Sequence, residues 1–229
     1  MKGLGAHIVL VTALALCALA GQARAQLAAS AAVDSDYRFR GLTLSQGQPD
    51  LRLNLSFDHK SGAYGGISLI TSQGYDGDRA MTGDIEYAGV VSARRHGLAW
   101  EAGVTHSHIQ GRGVYDYSEV YGGMLGEHFS ARLSWSPSYY GRNRQTLYAD
   151  FSTSARLSSH WRVFGHAGAL TPLSGPTRRE RYDVRGGVAA DIGRYEVQVA
   201  WTKTNPLIVY PATKLDDGEG IVVSLSAFF

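Results

Sequence analysis

Apolar residues recur at every second position along most of this chain. Leu51, Leu53, Leu55 and Phe57 alternate with Arg52, Asn54, Ser56 and Asp58. Phe129, Ala131, Leu133 and Trp135 alternate with Ser130, Arg132, Ser134 and Ser136, and Tyr195, Val197, Val199 and Trp201 with Glu196, Gln198 and Thr202. A period of two predicts strands with one apolar face. The same reading gives strands around Val33, Tyr37 and Phe39, and over Ala63 to Leu69, Ile85 to Val91, Leu98 to Val104, Val120 to Met124, Leu147 to Phe151, Trp161 to Ala167 and Tyr182 to Val188. In the fourth strand Ile85, Tyr87, Gly89 and Val91 are expected on the apolar side, with Asp84 and Glu86 opposite. The last strand, Ile221 to Phe229, brings the total to about twelve of roughly ten residues each, the length a tilted strand needs to cross a bilayer.

The connections alternate in length. His59–Gly62, Arg94–Gly97, Leu125–His128, Arg156–Ser159 and Asp191–Arg194 are tight turns. Longer stretches separate them: Leu42–Pro49, Ser72–Thr82, Ser107–Asp116, Pro137–Gln145, Thr171–Arg181 and Asn205–Gly218. Short turns on one side and long loops on the other predict an all-β fold, a transmembrane antiparallel up-and-down barrel. An even strand number puts both ends of the barrel on the short-turn side.

Export supports a membrane rather than a soluble barrel. Residues 1–25 read as a cleaved signal peptide, with Lys2 before a short apolar core and Ala23-Arg24-Ala25 as the cleavage site; residues 26–229 form the barrel domain. The only cysteine, Cys17, lies in that leader behind the large Leu16, which disfavours lipidation, and the remaining chain has no thiol chemistry. Without Lys2 and Arg24 the basic count falls from 22 to 20 against 20 acidic residues. That balance gives no basic surface for nucleic acid. Phe229 ends the chain on an aromatic, the feature read by the barrel-assembly machinery, so the expected location is the outer membrane of a Gram-negative cell.

Charge decides which face is wet. An Arg or Lys at the lipid midplane costs about 2–4 kcal/mol, so the charged faces must line a lumen. Aromatics agree: Trp100, Phe129, Trp161 and Tyr195 begin strands, and Trp135 and Trp201 end them, forming two belts. Phe164, Ile70 and Val222 fall on the nominally polar side, through lumen packing or a register error. The lumen candidates are Asp36, Arg38, Arg40, Arg52, Glu86, Glu119, Arg132, Asp150 and Arg185. Their mixed signs suggest a transverse field or a filled interior rather than a ring of one charge. In the first strand Asp36, Arg38 and Arg40 point to the lumen, Tyr37 and Phe39 to lipid, and Gly41 releases the chain into a loop.

The run Ser35-Asp36-Tyr37-Arg38-Phe39-Arg40-Gly41, followed by Thr43, Ser45 and Pro49, resembles the opening of the TorF-type porins, the Gcw_chp family of proteobacterial outer-membrane proteins. Gly83-Asp84-Ile85-Glu86-Tyr87 and Tyr117-Ser118-Glu119-Val120-Tyr121 are similar to the same family. The resemblance implies an outer-membrane barrel with a porin role, without a known substrate or catalytic residues.

Other chemistry has weak support. His106-x-His108 places two imidazoles on one face, which zinc would use only with a third ligand, and the pair reads as a solvated rim. Asp76 and Asp78, and Asp216, Asp217 and Glu219, fit no EF-hand spacing. No Gly-x-Ser-x-Gly elbow or phosphate loop is present. The reading is a channel, not an enzyme, that passes small polar solutes or ions without a cofactor and is embedded in outer-membrane lipid; the pattern leaves its oligomeric state open. A plugged surface-interaction barrel and a lipid-acting enzyme are the alternatives.

Overall fold

The computed structural model describes residues 26–45, 47–73, 80–109, 115–175, 180–205 and 218–229. The predicted leader at residues 1–25, the acidic positions Asp76, Asp78, Asp216 and Asp217, and parts of the predicted long loops lie outside the described residues. Twelve strands close into one antiparallel barrel: β1 (Gln26–Asp34), β4 (Asp50–Asp58), β5 (Ala63–Gln73), β6 (Ala80–Val91), β7 (Ala99–Ile109), β8 (Tyr117–Leu125), β9 (Phe129–Ser136), β10 (Thr146–Arg156), β11 (Trp161–Pro172), β12 (Arg181–Ile192), β13 (Tyr195–Thr204) and β14 (Glu219–Phe228). Each pairs with its sequence neighbour, and β1 closes the ring against β14 in the register Ser30↔Phe228 to Asp34↔Ser224. Beyond that ladder the Phe229 N–H donates to the Ala29 carbonyl at 2.9 Å, so the final residue helps seal the seam.

The alternation sorts by solvent as expected. Leu51, Leu53 and Leu55 on β4, Leu133 and Trp135 on β9, Val199 and Trp201 on β13, and Ile221, Val223 and Leu225 on β14 are exposed outward. Trp100, Trp161 and Tyr195 stand exposed at the short-turn ends. This is an inside-out distribution, which suits hydrocarbon outside and polar groups within. Ile70 and Val222 are buried inside the barrel at 7% and 4% exposure, so their place on the polar face is lumen packing rather than slipped register. Tyrosine rings cross the interior where partners are small: a Cβ at Gly66 or Gly103 would lie 2.4 Å from the hydroxyl of Tyr87 or Tyr121.

Two expectations fail. The first concerns β6. Tyr64 on β5 reaches over the inner face of β6 to Glu101 on β7, and its ladder partner on β6 is Gly89, so Gly89, Tyr87 and Ile85 face inward. Glu86 stands between outward Ile67 and His106, and Asp84 between Leu69 and His108. Glu86 is therefore not a lumen residue. Ile85, Tyr87, Gly89 and Val91 alternate as well as any outward row, and a one-residue slip reverses a whole strand.

The second concerns the opening motif. β1 ends at Asp34, and residues 35–45 turn into the barrel instead of extending its wall. A small hairpin, β2 (Arg38–Phe39) and β3 (Leu42–Thr43), forms there. Its two-residue loop is Arg40-Gly41, with φ of 50° and 78°. Positive φ at both central residues is the signature of a type I′ turn. Tyr37, expected to face lipid, is 7% exposed, and Phe39 packs on an interior aromatic cluster.

Candidate pore and constriction

The hairpin leaves β1 and seats its tip on the inner face of β12 and β13, three and two strands round the ring from β1. A Cβ at Gly41 would lie 2.7 Å from Cβ of both Asp183 on β12 and Thr204 on β13, so only glycine lets the tip seat there. Arg40 spans the lumen to β8, on the far side of the ring from β1 and β13. Its Nη1 and Nη2 donate to the two carboxylate oxygens of Glu119 at 2.9 and 2.6 Å, and the guanidinium lies 4.0 Å from the Tyr148 ring centre. Bidentate geometry combined with aromatic stacking is specific to arginine. Burial alone would lower the Arg40 pKa, but the fields of Tyr139 and Glu119 and the bonds to Glu119 outweigh it and raise it well above the usual range.

Asp36 ties the base of the hairpin. It accepts hydrogen bonds from Arg38 Nε (2.6 Å), Ser45 Oγ (3.0 Å), the Gly47 N–H (3.1 Å) and the Thr43 hydroxyl. Ser45 Oγ in turn accepts from the Tyr37 N–H at 2.8 Å. Burial pushes the Tyr37 phenol up to about 12; the Arg52 charge opposes that rise, and Asp50 and Asp34 add to it.

A second inward element narrows the same level. The β9–β10 connection, expected as an outside loop, turns in at Tyr139–Gly141. Tyr139 and Tyr140 are buried and pack edge-on and tilted against Tyr117, at 4.9 and 5.1 Å between ring centres. With Tyr148 and Leu170 they form a largely aromatic cluster against which Phe39 of the hairpin packs.

The wall residues occupy balanced pairs. Arg132 holds Glu101 through two hydrogen bonds of 2.9 and 3.1 Å, and Asp150 is the ladder partner of Arg132 on β10. Arg52 pairs with Asp34 at 3.0 Å, and Arg162 pairs with Glu196. Arg185 differs: it has no carboxylate partner among the described residues, donates to Gln198 Oε1 at 3.2 Å and lies 5.5 Å from the Phe164 ring centre. Of the nine predicted lumen positions, the interior holds Asp36, Arg38, Arg40, Arg52, Glu119, Arg132, Asp150 and Arg185. The first three lie on the hairpin rather than the wall.

Below the hairpin lies a cavity of about 590 Å³ whose lining includes Arg38, Arg40, Arg162, His166, Asp183 and Arg185. On its wall Ser152 Oγ meets His166 Nδ1 at 2.8 Å, and His166 Nε2 meets Asp183 at 3.2 Å. The order resembles an acyl-transfer relay, but Ser152 sits within a ladder on both sides, opposite Ser130 and His166. It has no turn or helix start beside it to offer the free backbone donors that such chemistry needs.

Sequence reasoning passed over Glu101, Arg162, Asp183, Glu196 and His166. All sit on the inward parity, so the signal was present. What it lacked was the cross-strand register that pairs them.

Residues 19–226 match the sequence model of a family described as a bacterial protein of unknown function (Gcw_chp). No sequence among the curated proteins matches the chain. Among solved structures the barrel is similar to the KdgM porin, with a TM-score of 0.58, 11% identity, and 88% of this chain covering 99% of that one. It is also similar to the KdgM porin in complex with disordered oligogalacturonate, with a TM-score of 0.56, 10% identity, and 90% of this chain covering 99% of that one. These likenesses establish the shared barrel fold.

Proposed function

The chain belongs to the Gcw_chp family, and from that membership and its porin-like barrel we propose that it is an outer-membrane channel for passive diffusion of small polar solutes, with a preference for anions. The carrying observation is Arg185, a cation without a carboxylate partner among the described residues, on the wall of a cavity whose other cations sit in balanced pairs. An unbalanced fixed charge in a narrow, partly desolvated passage attracts counter-ions more strongly than in water. The hairpin supplies the size limit. Removal of residues 1–25 on export, recognition of Phe229 by the assembly machinery and the TorF-type assignment belong to the same reading.

Planar-bilayer recording tests it. Under a salt gradient the wild type is expected to show an anion-selective reversal potential, and Arg185→Gln to move it toward the cation side. Unchanged potentials in Arg185→Gln and Arg38→Gln would overturn the selectivity reading. Oligogalacturonate, found in complex with the KdgM porin, is the first polyanion to add as a blocker.

A plugged barrel is the second reading, favoured by the aromatic cluster and the hairpin that both occupy the lumen at one level. Absence of single-channel events from folded protein would select it.

A further inference from the structure

The corrected face of β6 leaves a polar patch on the outside of the barrel. On the described strands the outward acidic, basic and imidazole side chains are Asp84, Glu86, His106 and His108, together with Lys203 and Glu219. The last two neutralise each other at 3.0 Å. Asp84 and Glu86 make no hydrogen bond or ion pair among the described residues. Both are half-buried carboxylates on a face whose neighbours are Ile67, Leu69, Ala88 and Val90. Unpaired carboxylates are disfavoured against lipid, so their presence calls for a cation.

The ladder puts nitrogen ligands beside them. Glu86 is the direct partner of His106, and Asp84 of His108. Directly opposed residues have Cβ atoms about 4.5–5.5 Å apart, and residues two apart share a face. The four side chains thus occupy the corners of a small rectangle. Both imidazoles are also oriented from the far side. His106 Nδ1 bonds Ser118 Oγ at 2.9 Å and His108 Nδ1 bonds Asp116 Oδ2 at 2.7 Å, both reaching toward β8. With Nδ1 engaged, Nε2 of each ring is left for a metal. A carboxylate or hydroxyl holding the other nitrogen is the usual support of a metal-bound histidine.

We propose that Asp84, Glu86, His106 and His108 form a binding site for a zinc-class divalent cation on the outward face of β6 and β7. Two carboxylates balance the charge of one divalent ion, so occupancy makes the patch electrically neutral where it meets lipid. Two imidazoles select zinc and its late first-row neighbours over calcium and magnesium, which take oxygen ligands. No three His, Asp or Glu groups among the described residues converge to ligating distance without the ion. Binding therefore turns the Asp84 and Glu86 side chains toward β7.

The test uses untagged mature protein refolded in detergent, with barrel closure checked by heat-modifiable gel migration. Equilibrium dialysis against micromolar zinc, followed by metal analysis, is expected to give one zinc per chain that equal calcium or magnesium does not displace. Both the Asp84→Asn/Glu86→Gln and the His106→Gln/His108→Gln proteins should lose it while remaining folded. Asp116→Asn should weaken it about 10–100-fold by loosening the bond that orients His108. Failure of the folded wild type to retain zinc would overturn the site, as would equal affinity in the paired variants. A change of oligomeric state on removing the carboxylates, in a wild type that takes up no zinc, would overturn it in favour of a contact between subunits.

Discussion

Arg40 carries more of the interior than any other side chain. Its turn conformation is left-handed, with φ of 50°, which costs a non-glycine residue about 1–2 kcal/mol. The bidentate bond to Glu119 and the Tyr148 ring hold it there. Removing one member of a buried pair strands the other charge, a loss of about 3–5 kcal/mol. Arg40→Met is therefore expected to destabilise hairpin docking by that order, and Arg40→Lys to recover little, because lysine cannot make the fork. Adding Glu119→Gln to Arg40→Met should return much of the loss. Solvent quenching of a fluorophore on the hairpin would read docking; equal quenching in Arg40→Met and wild type would contradict it. The charges of this motif were legible in the sequence, but their partners were not. Glu119 lies far along the chain from Arg40, and no local pattern links them.

At the scale of elements, the hairpin is the part set apart from the wall. Docking buries the Tyr37 phenol, whose pKa of about 12 when docked exceeds its ordinary value near 10. The docked state prefers the neutral phenol. Its contribution is complete below pH 10 and is lost as pH rises toward 12. Channel conductance should thus increase between those values and stay flat in Tyr37→Phe; a wild type without that rise would argue against titratable docking. Replacing residues 36–45 by a short Gly-Ser linker should raise conductance at neutral pH. The element pattern was readable for most wall strands. It misled at Tyr37 and Phe39, because a two-residue strand alternates like the start of a long one. At β6 it misled because the inward Tyr87 and Ile85 are as apolar as outward residues.

The whole molecule is governed by which solvent each face meets. Leu133, exposed outward in mid-strand, and Ser134, buried inward, are adjacent. Leu133→Arg is expected to destabilise the barrel in vesicles by about 2–4 kcal/mol, read by urea unfolding. An undiminished stability would contradict the outward face as the lipid face. The same substitution in a detergent of shorter chain should cost less, since charged side chains reach water more easily there.

By itself the sequence determined the strand count, the tight turns, the wet side of most strands and the apolar belt. Each depends on neighbours one or two residues apart, where periodicity and turn chemistry act. The tertiary structure alone decided the inward course of residues 35–45, the face of β6, the pairing of Arg40 with Glu119 and the ladder pairing of Asp84 and Glu86 with His108 and His106. Those depend on ring closure and ladder register, which bring distant segments together and are set by the sum of many contacts rather than by any short run of residues.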